Sequence, residues 1–323
     1  MNNITQLINR ISELTVLNKS PQEKQFIASL HDSSKVPLKY EDQDLLDYGM
    51  SFIPFERLYQ KAEEDFAKDD SFGEQDYVAK ELVKWFKHEF FTWVNQPPCD
   101  VCGGDTQAVG TTSPTPEEKK YGAKHVEVYQ CKQCSAIVRF PRYNSIRKLL
   151  ETRRGRCGEF ANTFTFLCRA IGSRARWVWN QEDHVWTEIY SEKQKRWIHI
   201  DPSEGAFNEP LIYQDGWGKK MSYCIGYSVE GARDVTKRYV TREDMALPRD
   251  KVSEPLLAKA MEDITIERRR KFTDEERKKL EEDDELEKKE LDGYSPSQTT
   301  NGEVGPRESG AGEWTAQRGE DGR

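Results

Sequence analysis

The sequence contains no long hydrophobic run and few apolar residues for its length. Of its 323 residues, 36% are hydrophobic and 33% are charged, and the mean hydropathy is −0.88. No stretch approaches the roughly 18 consecutive apolar residues of a membrane-spanning helix, and no basic start precedes an apolar segment of the secretory type. We therefore expect a soluble protein without a visible secretory signal and without membrane insertion.

An excess of positive charge is also missing. The 49 lysines and arginines face 57 aspartates and glutamates, which gives a formal net charge of −8. Because nucleic-acid binding through phosphates needs basic surfaces, the balance argues against a nucleic-acid partner. Charge of both signs is concentrated in residues 267–290, where 20 of 24 residues are charged. This pattern predicts a solvated helix held by weak ion pairs.

The chain has seven cysteines, which are too few for a disulfide scaffold. Their odd number also argues against complete pairing in disulfides. Four of them form two Cys-x-x-Cys pairs, Cys99 with Cys102 and Cys131 with Cys134. Two such pairs supply the four thiolates of a tetrahedral zinc shell, and a closed shell leaves no position for substrate. We interpret them as one structural Zn²⁺ site; two disulfides or a redox centre are the alternatives. The residues between the pairs, 110–126, are expected to loop out.

A fifth cysteine, Cys157, stands at the predicted start of a helix. Apolar residues at helical spacing follow it, and Gly172 comes where such a helix would end. The free N–H groups and the dipole of a helix N-terminus stabilise a thiolate. On its own, Cys157 is better explained as a small buried residue, so a catalytic role needs partners. Cys168 and Cys224 are expected in the core.

A predicted β-hairpin supplies these partners. Residues 184–190 and 196–201 are typical of two strands joined by a polar turn. Placing the apolar residues of both strands on one face sets the register. The predicted pairs are Val185–Ile200, Thr187–Ile198, His184–Asp201, Trp186–His199 and Glu188–Trp197. Directly opposed Cβ atoms lie roughly 4.5–5.5 Å apart, so Asp201 would accept a hydrogen bond from the imidazole of His184. A cysteine with this pair has the composition of a nucleophile, a base and an orienting acid.

These motifs together resemble the transglutaminase-like superfamily and, within it, the cytoplasmic peptide:N-glycanases. The resemblance is carried by GRCGEFAN, DHVWTEIYS and WIHIDPSEGAF, with the two Cys-x-x-Cys pairs ahead of them. The stretches FPRYNSIRKLLETRRGRCGEF, LIYQDGWGKKMSYCIGYS and DVTKRY narrow it further, and it covers about residues 50–245. The short flanking segments resemble the minimal fungal form of the family.

The resemblance implies an α+β fold with a papain-related, transglutaminase-like cysteine-hydrolase core, a four-cysteine zinc-binding subdomain and flanking helices. It implies cleavage of the amide bond between a glycan and the asparagine side chain of misfolded N-glycoproteins, which turns Asn into Asp ahead of proteasomal degradation. By position, Cys157 corresponds to the nucleophile, His184 to the general acid–base and Asp201 to the orienting carboxylate.

Further residues fall at positions that resemble the family's cleft for the chitobiose core of the glycan. They are Trp93, Trp186, Glu188, Trp197 and Glu204. The predicted register supports Trp186, Glu188 and Trp197, because it places them on the same sheet face as His184. Ordinary aromatic packing is the alternative explanation for the tryptophans.

Composition and resemblance divide the chain into successive segments. They are an N-terminal amphipathic helix region (1–40, with Ile4, Leu7, Ile8, Ile11, Leu14 and Leu17 at helical spacing), a helical part of the core (41–96), a zinc-binding subdomain (97–140), a catalytic core (141–245), a charged C-terminal helix (246–291) and a disordered tail (292–323).

The resemblance also implies partners and a compartment. The expected substrates are denatured N-glycoproteins, bound through peptide and chitobiose core, and the expected compartments are the cytoplasm and the nucleus. Fungal members imply a ubiquitin-shuttle protein of the proteasome pathway as an adaptor. Two alternatives stay open: another transglutaminase-like acyl-transfer enzyme or cysteine protease, and a non-catalytic scaffold. The presence of Cys157, His184 and Asp201 weighs against the scaffold.

Overall fold

The structure is a computed structural model and describes residues 20–293, 305–310, 312 and 315. The apolar stripe from Ile4 to Leu17 lies outside the described residues. Within them the chain mixes helices and strands, as expected for an α+β fold. Among the helices described, none has both the length and the apolar character needed to cross a bilayer.

The described α-helices are α1 (Pro21–Ser33), α2 (Gln43–Met50), α3 (Phe55–Lys68), α4 (Glu74–Trp85), α5 (Pro116–Lys120), α6 (Ile146–Thr152), α7 (Cys157–Ala170), α8 (Thr236–Tyr239), α9 (Glu254–Arg269) and α10 (Asp274–Asp292). The strands are β1 (Thr92–Trp93), β2 (Thr106–Thr112), β3 (Val126–Cys131), β4 (Ile137–Pro141), β5 (Arg154–Gly155), β6 (Ala175–Asn180), β7 (His184–Ser191), β8 (Arg196–Asp201), β9 (Ala206–Phe207), β10 (Cys224–Ser228) and β11 (Gly231–Asp234).

An antiparallel six-stranded sheet, in the order β11-β10-β6-β7-β8-β9, forms the centre of the fold. Helix α7 packs against β7 and is buried along most of its length. Its residues Phe160, Phe164 and Leu167 join one core cluster with the apolar face of the hairpin. Burying a side chain of this size contributes roughly 1.5–3 kcal/mol relative to exposure, so α7 is held firmly on the sheet.

The predicted helix is confirmed in its start, its end and its buried cysteine. Helix α7 begins at Cys157, and Gly172 follows it with a φ of +85°, a conformation that glycine adopts without strain. Cys168 is fully buried in the same cluster, and Cys224, the first residue of β10, is fully buried in a second cluster.

The predicted hairpin strands are confirmed, but the predicted register is wrong by two residues. Thr187 pairs with Ile200 rather than Ile198. The predicted alignment leaves residues 192 and 193 alone in the loop, and neither is the glycine or asparagine that two-residue hairpin turns prefer. The chain instead forms a longer loop, with Lys195 at a φ of +53°. A shift of two keeps every side chain on its predicted face.

The cysteine-bearing subdomain is a three-stranded antiparallel sheet, in the order β2-β3-β4. Thr106 pairs with Cys131 and Thr112 with Val126. The expectation that residues 110–126 loop out is therefore wrong for 110–112 and 126. The segment between these strands contains the short helix α5, whose N-cap residue Thr115 accepts a hydrogen bond from Glu118 N.

The charged C-terminal segment forms two helices, α9 and α10, and α10 is not solvated on all sides. Asp283 and Glu287 are buried, and the Glu287 carboxylate lies 2.6 Å from Arg176 and 3.1 Å from Arg238. Arg176 on β6 and Arg238 on α8 are both buried, and unpaired buried charges are strongly unfavourable. The acidic face of α10 therefore supplies their counter-ions.

Candidate active site

The helix of Cys157 and the strand of His184 start at the same edge of the molecule. Midway along both elements, the hydroxyls of Thr165 and Thr187 lie 2.7 Å apart. From α7 the chain turns into β6, whose first residues pair with the C-terminal half of β7, so the N-termini of α7 and β7 share the opposite edge. Cys157 lies about 12 Å before the threonine contact along the helix and His184 about 10 Å before it along the strand. The fold therefore brings these two residues to one site.

His184 and Asp201 form a buried hydrogen-bonded pair. Nε2 of His184 lies 2.7 Å from Oδ2 of Asp201, and both side chains have no exposed surface. The contact is made although the two residues are not opposite each other in the ladder, because diagonal neighbours on one face are also within side-chain reach. Nδ1 of His184 makes no hydrogen bond with any described residue, which leaves this atom to exchange a proton.

Asp201 accepts hydrogen bonds from several further groups that the sequence reasoning missed. Ser203 donates from its backbone N and from Oγ to Oδ1, at 2.8 and 2.7 Å. The hydroxyl of Tyr213 lies 3.0 Å from Oδ2 and 2.8 Å from Nε2 of His199. Because an ionised carboxylate only accepts, Tyr213 donates to Asp201 and accepts from His199. The order Asp-x-Ser signals the serine contact as an Asx turn, whereas nothing in the pattern signals Tyr213.

The pKa values in the site favour an uncharged thiol and an uncharged imidazole beside one carboxylate anion. Desolvation raises the pKa of the partly exposed Cys157 thiol to about 11. Burial lowers the pKa of His184 below its usual value, against the opposing charge of Asp201. Burial alone would raise the pKa of Asp201, but its interactions with His184 hold it well below its usual range. The resting site therefore contains a thiol, a neutral imidazole and a carboxylate.

Arg156, the residue before Cys157, connects the site to the cysteine-bearing subdomain. The guanidinium of Arg156 binds the carboxylate of Glu127 on β3, at 2.7 Å. Arg142 bridges Glu127 and Glu159 on α7, at 3.1 and 2.7 Å. Glu159 in turn accepts a hydrogen bond from the backbone N of Arg156. The N-terminus of α7 is thus held by ion pairs that depend on the position of β3.

The four cysteines of the two Cys-x-x-Cys pairs lie close together. Their sulfur atoms all lie within 4.8 Å of one another, with Cys99–Cys134 at 3.6 Å and Cys102–Cys131 at 3.5 Å. Backbone N–H groups of Gln133 and Cys134 point at the Cys131 sulfur, at 3.4 Å each, as suits a thiolate ligand. The arrangement is compatible with a metal site.

Comparison with known proteins agrees with this geometry. The family profile described as transglutaminase-like superfamily matches residues 106–202, and the Rad4 transglutaminase-like domain matches residues 174–292. The peptide-N(4)-(N-acetyl-beta-glucosaminyl)asparagine amidase of Yarrowia lipolytica is 47% identical over 300 residues, which cover 91% of this chain and 84% of that protein.

The chain belongs to the peptide-N(4)-(N-acetyl-beta-glucosaminyl)asparagine amidase family. The Saccharomyces cerevisiae amidase is 42% identical over 300 residues, covering 88% of this chain and 82% of its own. The Gallus gallus amidase is 42% identical over 293 residues, which cover 88% of this chain and 45% of that protein. A chain of the crystal structure of Rad4–Rad23 crosslinked to an undamaged DNA aligns with a TM-score of 0.51 over 85% of this chain and 60% of that chain. At 12% identity, that likeness shows the fold alone.

The five residues expected at the amidase glycan cleft fall in different surroundings. Trp93 on β1 is partly exposed, and it pairs with Gly155, two residues before Cys157. Glu204 is almost buried and follows Asp201 closely, with its backbone N 3.3 Å from that carboxylate. These two line the site.

Trp186, Glu188 and Trp197 lie on the predicted sheet face but deeper. Trp186 is fully buried, with its ring centroid 5.7 Å from that of His184. Glu188 is fully buried and binds Arg176 and Arg238, and Trp197 is covered by the guanidinium of Arg176 at 4.1 Å. The structure therefore places these three behind the triad, within the packing that supports it.

Part of the tail enters the amidase site. The composition of residues 292–323 predicts a disordered tail, whereas residues 305–310 have defined contacts in the structure. Arg307 and Ser309 are buried there. The guanidinium of Arg307 lies 4.4 Å from the ring centroid of Trp217.

Proposed function

We propose that this protein is a peptide:N-glycanase, which hydrolyses the amide bond joining an N-glycan to the asparagine side chain of denatured glycoproteins. The observation that carries the proposal is the His184–Asp201 pair, 2.7 Å apart, at the edge of the fold where the helix of Cys157 begins. Membership of the amidase family selects this reaction among those that such a triad supports.

In the first half of the reaction, the sulfur of Cys157 attacks the side-chain carbonyl carbon of the glycosylated asparagine. The thiol proton passes to Nδ1 of His184, and Asp201 stabilises the imidazolium through Nε2. Backbone N–H groups at the start of α7, including that of Cys157, are positioned to stabilise the oxyanion of the tetrahedral intermediate.

In the second half, His184 returns its proton to the departing nitrogen. The carbon–nitrogen bond breaks, a glycosylamine leaves and a thioester remains on Cys157. Neutral His184 then takes a proton from water, whose oxygen attacks the thioester carbon. The carbon–sulfur bond breaks, the side chain leaves as aspartate, and the proton returns to the sulfur.

We further propose that the four-cysteine site holds one structural zinc ion. A tetrahedral shell with Zn–S bonds of about 2.3 Å requires sulfur–sulfur separations of about 3.8 Å, and the shortest separations here are 3.5 and 3.6 Å. All-thiolate shells favour zinc over magnesium or calcium. Cys99, Cys102, Cys131 and Cys134 would be its ligands, and the ion would stabilise the subdomain that positions Arg156.

The setting proposed for this activity is the cytoplasm, and also the nucleus, ahead of proteasomal degradation of the glycoprotein. Because the site must admit both a peptide and a sugar core, denatured glycoproteins should be better substrates than folded ones. A ubiquitin-shuttle protein is the proposed adaptor. The resemblance of the sequence to fungal peptide:N-glycanases supports both proposals.

Mass spectrometry of a denatured N-glycopeptide after incubation with the protein tests the function. We expect conversion of the glycosylated asparagine to aspartate, together with an intact released glycan. Cleavage of the peptide backbone would identify a protease instead. Incorporation of an added primary amine without glycan release would identify a transglutaminase, and either result would overturn the proposal.

A further inference from the structure

The side chain of Glu204 binds a peptide backbone in this structure. Its Oε2 accepts a hydrogen bond from the backbone N of Glu308 at 2.8 Å, and its Oε1 accepts one from the backbone N of Ser309 at 3.0 Å. Glu204 is only 9% exposed, and a buried carboxylate needs such donors in place of water. Two consecutive N–H groups on one carboxylate fix the direction of the bound segment as well as its position.

The side chain of Arg307 packs against two tryptophans, one of which contacts His184. Its guanidinium carbon lies 4.4 Å from the ring centroid of Trp217 and 5.7 Å from that of Trp93. The ring of Trp217 is 4.9 Å from that of His184, so a single aromatic ring separates the guanidinium from the imidazole. Arginine stacks on aromatic faces more readily than lysine does, which accounts for its placement between the two tryptophans.

Lys87 contacts both Glu204 and the bound segment. Its Nζ lies 2.7 Å from the backbone oxygen of Glu204 and 2.6 Å from a carboxylate oxygen of Glu308. The Glu308 side chain is 72% exposed, so its ion pair is worth little by itself. The specificity of the segment therefore resides in the backbone contacts to Glu204 and in Arg307.

We propose that Glu204, Trp217 and Trp93 form a binding site for an extended peptide carrying arginine, and that residues 305–310 of the chain occupy it as an intramolecular competitor of substrate. The proposal that the segment competes with substrate rests on the proposed function. Trp93 pairs with Gly155, two residues before Cys157, and Glu204 lies beside Asp201. Because the segment contacts both Trp93 and Glu204, a substrate bound at these residues would occupy the same space. The segment must therefore leave before a glycosylated asparagine reaches the nucleophile.

The positive charge of Arg307 also shifts the pKa values of Cys157 and His184. Burial raises the pKa of the Cys157 thiol, and the nearby guanidinium opposes that rise. Burial lowers the pKa of His184, and the same guanidinium lowers it further. A bound arginine thus keeps the imidazole neutral while the cleft is closed to substrate.

The kinetic test compares Arg307→Ala with the unchanged full-length chain on a denatured glycopeptide. When a bound segment competes with substrate, the apparent KM equals the intrinsic KM divided by the fraction of molecules whose site is open. We therefore expect Arg307→Ala to lower KM by about three- to ten-fold. Arg318→Ala, which removes an arginine from the same tail outside residues 305–310, is the matched control and should leave KM unchanged. An unchanged KM in Arg307→Ala, or an equal decrease of KM in both variants, would overturn the proposal that the segment competes with substrate.

A binding test does not depend on deglycosylation. The fluorescein-labelled peptide Gly-Pro-Arg-Glu-Ser-Gly is titrated with the full-length chain and followed by fluorescence polarisation. We expect at least three-fold tighter binding to Arg307→Ala than to the unchanged chain, because the variant's own segment competes less, and weaker binding of the same peptide with alanine for arginine. Equal binding of the two peptides would overturn the proposal that the site recognises a peptide carrying arginine. If these expectations hold in a protein that releases no glycan, the proposed function fails and the binding site stands.

Discussion

The hydroxyl of Tyr213 lies 3.0 Å from Oδ2 of Asp201, the same oxygen that lies 2.7 Å from Nε2 of His184. The carboxylate of Asp201 is therefore shared between the imidazole of His184 and a tyrosine from the short π-helix Ile212–Gly216. His199 completes the chain of contacts, since its Nε2 lies 2.8 Å from the tyrosine oxygen. The His184–Asp201 pair is thus supported by hydrogen bonds from Tyr213 and, behind it, His199.

Replacing Tyr213 by phenylalanine should lower kcat/KM by about ten- to one-hundred-fold, the equivalent of the roughly 1.5–3 kcal/mol of one hydrogen bond to a charged group. Asp201 would then be a stronger acceptor for the imidazolium, which raises the pKa of His184. Because His184 must be neutral to accept the thiol proton, the acid limb of the kcat/KM profile should move to higher pH. Tyr227→Phe is the control, since this buried hydroxyl makes no hydrogen bond with the described residues. An unmoved acid limb in Tyr213→Phe would contradict the role.

His199 should make folding stability depend on pH. Burial lowers its pKa to about 4, whereas an unfolded histidine titrates near 6.5. Between these values the unfolded chain binds more protons, so the free energy of unfolding falls as the pH decreases from about 6.5 to about 4. His199→Gln keeps a donor for Tyr213 but does not titrate. Urea unfolding across this range should show a decrease smaller by up to about 3 kcal/mol, and an unaltered slope would refute the assignment.

Glu287 should be a large contributor to stability although it lies in the charged C-terminal helix. It is 2% exposed and pairs with Arg176 and Arg238. Glu287→Ala leaves two buried cations short of a counter-ion, which should cost about 3–5 kcal/mol. Glu285→Ala, on the exposed side of the same helix, should cost less than about 0.5 kcal/mol. Thermal unfolding of both variants checks this, and similar melting temperatures would count against the buried pairing.

Removing a metal ligand should weaken both the fold and the active site. Cys131→Ser should lose bound zinc, measured by elemental analysis, and should melt at a lower temperature because structural zinc contributes folding free energy. Its activity should also fall, since β3 carries the Glu127 that holds Arg156. Lys132→Ala, which changes an exposed residue between two ligands, should keep one zinc per chain. Normal melting and activity after chelation would contradict a structural ion.

The sequence was sufficient for the catalytic elements because their signals are local. Helix periodicity and a following glycine located α7 and its first residue Cys157, and alternation located β7 and β8. The predicted sheet faces are correct despite the register error, because a shift of two residues preserves the side on which His184 and Asp201 lie. The register itself depended on the loop after Ser191, whose residues carry no strong turn signal.

Other parts of the site could not be predicted because their contacts join distant, irregular segments. Tyr213 and Trp217 lie in a stretch without strand or helix periodicity, and Arg307 belongs to a segment whose composition is typical of disorder. The charged helix α10 has an acidic face that becomes buried only because Arg176 and Arg238 need counter-ions. That requirement is visible in the packed structure and not in the pattern of the helix.

The central claim is that Cys157 is the nucleophile of glycan release, and mass spectrometry of a denatured glycopeptide after incubation with Cys157→Ala tests it most directly. The account predicts that this variant releases no glycan and forms no aspartate, with an unchanged melting temperature and unchanged zinc content. The control Cys102→Ser, in which an expected metal ligand is changed and Cys157 is kept, should lose zinc. Glycan release by Cys157→Ala at the rate of the unchanged chain would contradict the account.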